Sequence, residues 1–323
     1  MLRLLRRRLL QGVPLILGVI IMNFLLIQAA PGSFLDVMSA ESQVSDPAML
    51  EQLRVTYGMD QPVWLQLLKY IWSVARLDFG FSYRQNMPVL AVIMASLPAT
   101  LVLMLASLLI ALLLGVTAGV VAAVKVNTIW DNLLSFLAVL FFAAPSFWLG
   151  IMLTVLFAVK LGWVPVGGMM SITASNQGVV ATVLDVLHHL ALPAMALGLF
   201  YAAVYARVMR AAMLEVLSLD FIRTARAKGL GRWRVVLAHG LRNALLPIVT
   251  LFGLQFGTVL GGSIVVETVF SWPGLGSVML DSVSSRNYPV VLGVLVFSSV
   301  VVILVNIAVD LAYLRLDPRI RAR

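Results

Sequence analysis

The chain has no cysteine among its 323 residues, which excludes disulfides, thiolate chemistry and cysteine-ligated zinc or iron–sulfur centres. Charge is scarce: Asp, Glu, Lys and Arg make up 11% of the chain, where a soluble domain carries about 25%. The four lysines are followed by Tyr70, Val126, Leu161 and Gly229, so there is no GxxxxGK[ST] loop to cradle a nucleotide. HExxH is missing, and no aspartate pair falls inside an apolar stretch, so the sequence lacks the residues of a membrane-embedded enzyme. No catalytic and no metal-ligating set is expected. The three histidines sit at boundaries. His188 and His189 flank an apolar stretch and His239 lies in a basic loop, which is a poor start for the buried proton relay of an ion-coupled transporter.

What is abundant is apolar length. The chain is 61% hydrophobic, with a mean hydropathy of +1.01. A membrane helix needs roughly 20 uncharged apolar residues. Stretches 9–35, 98–124, 132–159, 190–206, 243–266 and 287–309 contain no Asp, Glu, Lys or Arg. The fourth is short and can extend through His188 or Val208. An all-α polytopic membrane protein with six transmembrane helices is predicted. The first stretch follows Arg3, Arg6, Arg7 and Arg8, as in a signal peptide. It is too long for an ordinary apolar region of that kind, and Ala29 and Ala30 run directly into Pro31, so an uncleaved helix is expected.

The formal charge of +9 is spread over short loops beside apolar spans rather than gathered in one soluble domain. That is a membrane-orientation pattern, and no nucleic acid partner is expected. With both termini in the cytoplasm, 17 Lys and Arg fall on inner segments and 6 on outer ones, so that orientation is favoured. The chain then divides into an N-terminal helix (1–35), an extracytoplasmic segment (36–97), a five-helix core (98–314) with a cytoplasmic loop at 207–242, and a cytoplasmic tail (315–323).

The extracytoplasmic segment holds an amphipathic helix. After Pro62, the residues Trp64, Leu67, Leu68, Ile71, Trp72 and Ala75 recur at i, i+3, i+4, i+7, i+8 and i+11. Its apolar face suits the membrane helices or the lipid interface, and is compatible with docking an external soluble partner. Residues 270–276, FSWPGLG, with Trp272 and Pro273 at their centre, break regular structure and read either as a plain connector or as a re-entrant turn or plug at the outer mouth. Gln255 and Ser263, with Gly261 and Gly262, are polar or small positions that could line a path or serve close helix packing. Pro145 is expected to kink the third span, as a gate hinge or as a feature of shape.

The 207–242 loop is basic. Asp220 is a suitable N-cap for a short helix over 221–228, Arg226 and Lys228 suit its C-terminal dipole, and Gly229 suits a left-handed C′ position. Phe221, Ile222 and Ala225 would supply its apolar or small side, and Arg223, Arg226 and Lys228 its charge. A second helical segment over 232–241 would lead into the next span. A helix this short is marginal alone and needs something to pack against. Physical chemistry leaves anionic lipid headgroups and a protein partner equally open.

The run DFIRTARAKGL at 220–230, followed by HGLRNALLP at 239–247, resembles the cytoplasmic "EAA" loop of binding-protein-dependent ABC importer permeases, in the dipeptide/oligopeptide/nickel branch. The likeness continues through Pro31 and Gly32, YGMDQP (57–62), DFGFS (78–82), GGSIVVE (261–267), residues 270–276, VDLAY (309–313) and DPRI (317–320). It departs from the general loop in having Arg223, Thr224 and Ala225 where that pattern has Glu-Ala-Ala, and Arg242 where it has proline, with Pro247 nearby.

The resemblance implies a type I ABC importer permease fold in a bacterial inner membrane. It implies that Asp220, Phe221, Arg223, Thr224, Ala225, Arg226, Ala227, Lys228, Gly229 and Leu230 form a coupling helix and its closure, docked on an ATP-binding subunit. Partners would be a second homologous permease, two ATP-binding subunits carrying ATP and Mg, an extracytoplasmic solute-binding protein, and membrane lipid. No cofactor is expected on this chain itself. The implied cargo is short peptides, with nickel chelates or other small solutes as alternatives within the family.

Overall fold

The computed structural model describes residues 2–29, 61–82, 84–172, 174 and 178–316; the side chains of 2–9, 27, 29, 256–262 and 309–316 are not described. The motifs at 31–32, 57–60 and 317–320 therefore lie outside the described residues, as do the side chains of 309–313 and of Arg3, Arg6, Arg7 and Arg8. The helices are α1 (Leu2–Ala29), α2 (Val63–Ala75), α3 (Val89–Val124), α4 (Ile129–Ala143), α5 (Ser146–Leu153), α6 (Val179–Leu217), α7 (Asp220–Ala227), α8 (Arg232–Arg234), α9 (Arg242–Val269), α10 (Leu275–Ser284) and α11 (Tyr288–Leu316). Two π-helical stretches, Thr154–Lys160 and Val235–Leu241, extend α5 and join α8 to α9. Two-residue strands β1 (Phe81–Ser82) and β2 (Met87–Pro88) pair antiparallel.

Among the described residues, four helices are long and apolar enough to cross a membrane: Val89–Val124, Val179–Leu217, Arg232–Gln255 and Tyr288–Ala308. A fifth span would join Ile129–Ala143 to Ser146–Lys160, which meet at 107°. The expected kink at Pro145 is thus a full break: Ala144 and Pro145 leave the helix with ψ of 131° and 137°. Proline removes a backbone donor and biases the preceding residue towards extended backbone. α1 is 28 residues long, but its described apolar part is Leu10–Leu26.

The chain divides into two compact units, Met1–Pro98 with Val278–Arg323, and Ala99–Ser277. In the first, α1 and α11 run antiparallel: Gly12 faces Ile303, and the Asn23 side-chain amide donates to the Leu292 carbonyl at 3.4 Å. Phe24 meets Tyr70 of α2 at 6.2 Å between ring centres. The amphipathic stripe of α2 is only partly seated. Val74 is buried and Leu67 and Ile71 are half-buried, while Trp64, Leu68 and Trp72 stay exposed. In a membrane protein an apolar face does not have to meet protein, and aromatic residues suit the lipid–water boundary.

In the second unit, α3 packs parallel to α6 and antiparallel to α9. Met104, Leu108 and Ala111 of α3 share a core with Tyr201, Tyr205, Met209 and Met213 of α6 and with Ala244 and Ile248 of α9. A second core joins Ala99 and Leu103 to Leu190–Leu197 residues of α6 and to Val266, Phe270 and Trp272. The α3–α6 approach is set by Gly115 and Gly119, four residues apart on one face. A Cβ at Gly115 would lie 2.5 Å from the Tyr205 Cβ, and one at Gly119 would lie 2.6 Å from the Ala206 carbonyl oxygen. Lipid gives helices no hydrophobic drive to associate, so close packing of small residues supplies it. Gly119→Ala is expected to destabilise the chain by about 1–3 kcal/mol, read as a lower unfolding midpoint in detergent.

Candidate functional site

α7 is built to present one face. Ile222 and Ala225 are buried against Val235, with Leu217 and Leu230 alongside. Asp220, Arg223, Thr224, Arg226, Ala227 and Lys228 are exposed. Phe221 is exposed too, so it does not belong with Ile222 and Ala225 as the sequence pattern suggested. Residues 221 and 222 are about 100° apart on a helix, and one neighbouring segment can cover only one of those directions.

The helix also starts differently from expectation. Leu219 is the N-cap and no side chain caps it; Asp220 is the first helical residue, and its carboxylate accepts from the Arg223 guanidinium at 3.3 Å. The C-terminus closes at Gly229, whose φ is +77°. The Gly229 N–H donates to the Arg226 carbonyl at 2.9 Å and the Leu230 N–H donates to the Ala225 carbonyl at 3.4 Å. These are the two bonds of a Schellman closure, completed by apolar contact of Leu230 with the Ile222–Ala225 cluster. Beyond it, Arg232 donates to the Val124 carbonyl at 2.9 Å, joining this loop to the last residue of α3. Cations suit that carbonyl-rich end.

At the other end of the same unit, the 270–276 loop is pinned. Phe270 and Trp272 are buried, and the Trp272 indole N–H donates to the Ala99 carbonyl at 2.8 Å. The Gly168 N–H donates to the Phe270 carbonyl at 2.8 Å, and Gly150 packs beneath the Phe270 ring. Pro273 is exposed. Gln255 and Ser263 of α9 are buried, and Pro145 is exposed at the break between α4 and α5. His188 and His189 bond the Trp163 and Asp185 carbonyls at 2.7 and 2.8 Å.

Residues 115–322 match the family model described as the binding-protein-dependent transport system inner membrane component, and residues 1–104 match that of the corresponding N-terminal membrane component. The chain belongs to this family of transport permeases. The permease is 40% identical to the oligopeptide transport system permease protein AppB of Bacillus subtilis over 315 residues, covering 97% of this chain and 98% of that one. It is 40% identical to the dipeptide transport system permease protein DppB of Escherichia coli, with 99% of both chains covered. The glutathione transport system permease protein GsiC of Escherichia coli is also 40% identical, covering 98% of this chain and 97% of that one. Its fold matches inward-facing crystal forms of the MetNI methionine ABC transporter, with TM-scores of 0.57 and 0.54 at 21% and 19% identity. Those matches cover 70% and 71% of this chain and 96% and 97% of the solved chains. The permease is a multi-pass, mostly helical transport component of the inner membrane, not an enzyme.

One pair in the permease was not anticipated. Asp131, near the start of α4, is 2% exposed and accepts both the Nε of Arg210 at 2.6 Å and its Nη2 at 2.8 Å. The Asn127 N–H adds a bond at 3.0 Å and the Ser135 hydroxyl one at 3.4 Å. A lone acid at the edge of an otherwise basic boundary was the signal available in the sequence, but 79 residues separate the partners.

Proposed function

We propose that this chain is the permease subunit of an ATP-driven importer of short peptides delivered by an external binding protein. It forms half of a translocation pathway with a second homologous permease. Two ATP-binding subunits, which carry ATP and Mg, dock on α7. The observation that carries this reading is the geometry of α7. Two apolar side chains, Ile222 and Ala225, seat the helix on its own chain, while Phe221 and a basic face are left outward for a partner.

The names of the oligopeptide and dipeptide permeases support a peptide cargo. The antiparallel α1–α11 pair supports termini on one side, and the Lys and Arg distribution makes that side the cytoplasm. Six spans follow when α1 and the broken α4–α5 pair each cross once. In this reading Gln255, Ser263 and Pro145 belong to the path and its bend, Trp272 and Pro273 form the outer gate, and lipid covers the exposed apolar helices.

The test is gentle extraction of the tagged chain and identification of what co-purifies. A Walker-motif ATPase and a second permease are expected. Arg226→Glu places an acid on the docking face and is expected to lower the recovered ATPase about tenfold. A chain that purifies alone, even after cross-linking through α7, removes the coupling role; undiminished ATPase recovery with Arg226→Glu favours a lipid-facing helix.

A further inference from the structure

We propose that Glu267, with Thr100 as its relay, is the latch that holds the outer loop shut. The inference rests on the gate reading above and assigns two positioning residues to it. Glu267 closes α9 and is fully buried. Its Oε2 accepts the N–H of Gly276 at 2.7 Å and that of Ser277 at 3.1 Å. Its Oε1 accepts the Thr100 hydroxyl at 2.9 Å, and the Ser263 hydroxyl bonds the same carboxyl group. The Thr100 oxygen in turn accepts the Leu275 N–H at 2.7 Å, and its single proton points at Glu267.

Leu275, Gly276 and Ser277 are the first three residues of α10. The first N–H groups of a helix have no partner within it. An ordinary helix meets this need with its own N-cap side chain. Here the acceptors come from the end of α9 and the outer end of α3, 167 residues apart in sequence. The cap exists only while those two helices stay together. The loop is shaped around the carboxylate: a Cβ at Gly274 would collide with the Glu267 carboxyl group, and one at Gly276 would lie 2.8 Å from Oε2. The Trp272 N–H donates to the Glu267 carbonyl at 2.7 Å, so the same residue also sets the tryptophan between α3 and α9.

A buried polar hub of this kind gains little over apolar packing of the same volume, but it has two discrete conditions. Either all its donors are met or the carboxylate must regain water. That suits a loop that is released as one piece.

The chain has no cysteine, so Val266→Cys gives it a single thiol, and labelling is read on this chain after it is separated from its partners. Val266 is fully buried beside Phe270 and Trp272. In the assembled complex in vesicles, an impermeant maleimide added outside reads loop opening as the labelling rate. Glu267→Gln and Thr100→Val are each expected to raise that rate about tenfold or more, and Thr100→Ser to leave it unchanged. Met213→Cys, buried in the other core of the unit and probed with a membrane-permeant maleimide because it lies towards the cytoplasmic side, should label equally slowly in every background.

Unchanged labelling with Glu267→Gln overturns the latch. So does faster labelling at both reporters, which would mean general loosening. If Glu267→Gln does not accumulate, the contrast of Val with Ser at position 100 decides. Trp272→Ala tests the gate separately: if it exposes the Val266→Cys thiol yet leaves import unchanged, the gate reading fails while the latch stands.

Discussion

Gly229→Val is expected to cut import roughly tenfold while ATP hydrolysis continues on the partner subunits. The cause is confined to the backbone. No atom lies within 4 Å of a Cβ built on Gly229, so there is room for a side chain. What valine cannot adopt cheaply is the φ of +77° that turns the chain at the end of α7. A β-branched residue there breaks the Arg226 and Ala225 carbonyl bonds, lifts Leu230 from the Ile222–Ala225 cluster and re-aims the basic face. Asparagine tolerates left-handed backbone, so Gly229→Asn should retain most of the transport. Import and ATPase rates measured together in proteoliposomes check this. Wild-type import by Gly229→Val would sink the coupling role of the helix.

Arg210→Ala should destabilise the chain by about 3 kcal/mol, because it strands a buried carboxylate. Asp131 would keep the Asn127 N–H and the Ser135 hydroxyl but lose both guanidinium bonds. The measurement is the unfolding midpoint in detergent. Replacing both partners, with Asp131→Leu and Arg210→Met, should recover much of the loss, since apolar groups of similar volume are often neutral substitutes for a buried ion pair. A double variant as unstable as Arg210→Ala would point to a role for the pair other than charge compensation.

Legibility in the sequence followed the range of each interaction. The closure of α7 at Gly229 was readable because a left-handed residue and its two carbonyl bonds lie within five positions. The side on which Phe221 falls was not, because that depends on Val235 arriving from the next segment. Apolar length located the long helices α3, α6 and α11, yet could not show that α4 and α5 meet at 107°, since both halves stay apolar through the break. In lipid, hydrophobicity also stops distinguishing core from periphery, which is why Trp64, Leu68 and Trp72 were placed on a face without revealing what covers it. The 270–276 turn was visible in its Pro and Gly residues. Its anchor on Glu267 and Thr100 was not, because the donors are backbone groups and one acceptor sits on another helix, 175 residues from the donor.

α6 runs unbroken for 39 residues, roughly 58 Å. One end supplies Leu217 to the pocket that seats α7, and the other supplies Leu190, Leu192 and Leu197 to the core beneath Phe270 and Trp272. Gly115 and Gly119 bring α3 into backbone contact with its middle, where a close approach leaves no slack for sliding. Mechanically this is a lever with a fulcrum. A tilt of about 5° about that contact moves Leu190, about 22 Å along the rod from Tyr205, by about 2 Å. Pro193 removes one rung of the ladder near the far end and gives the lever a place to flex.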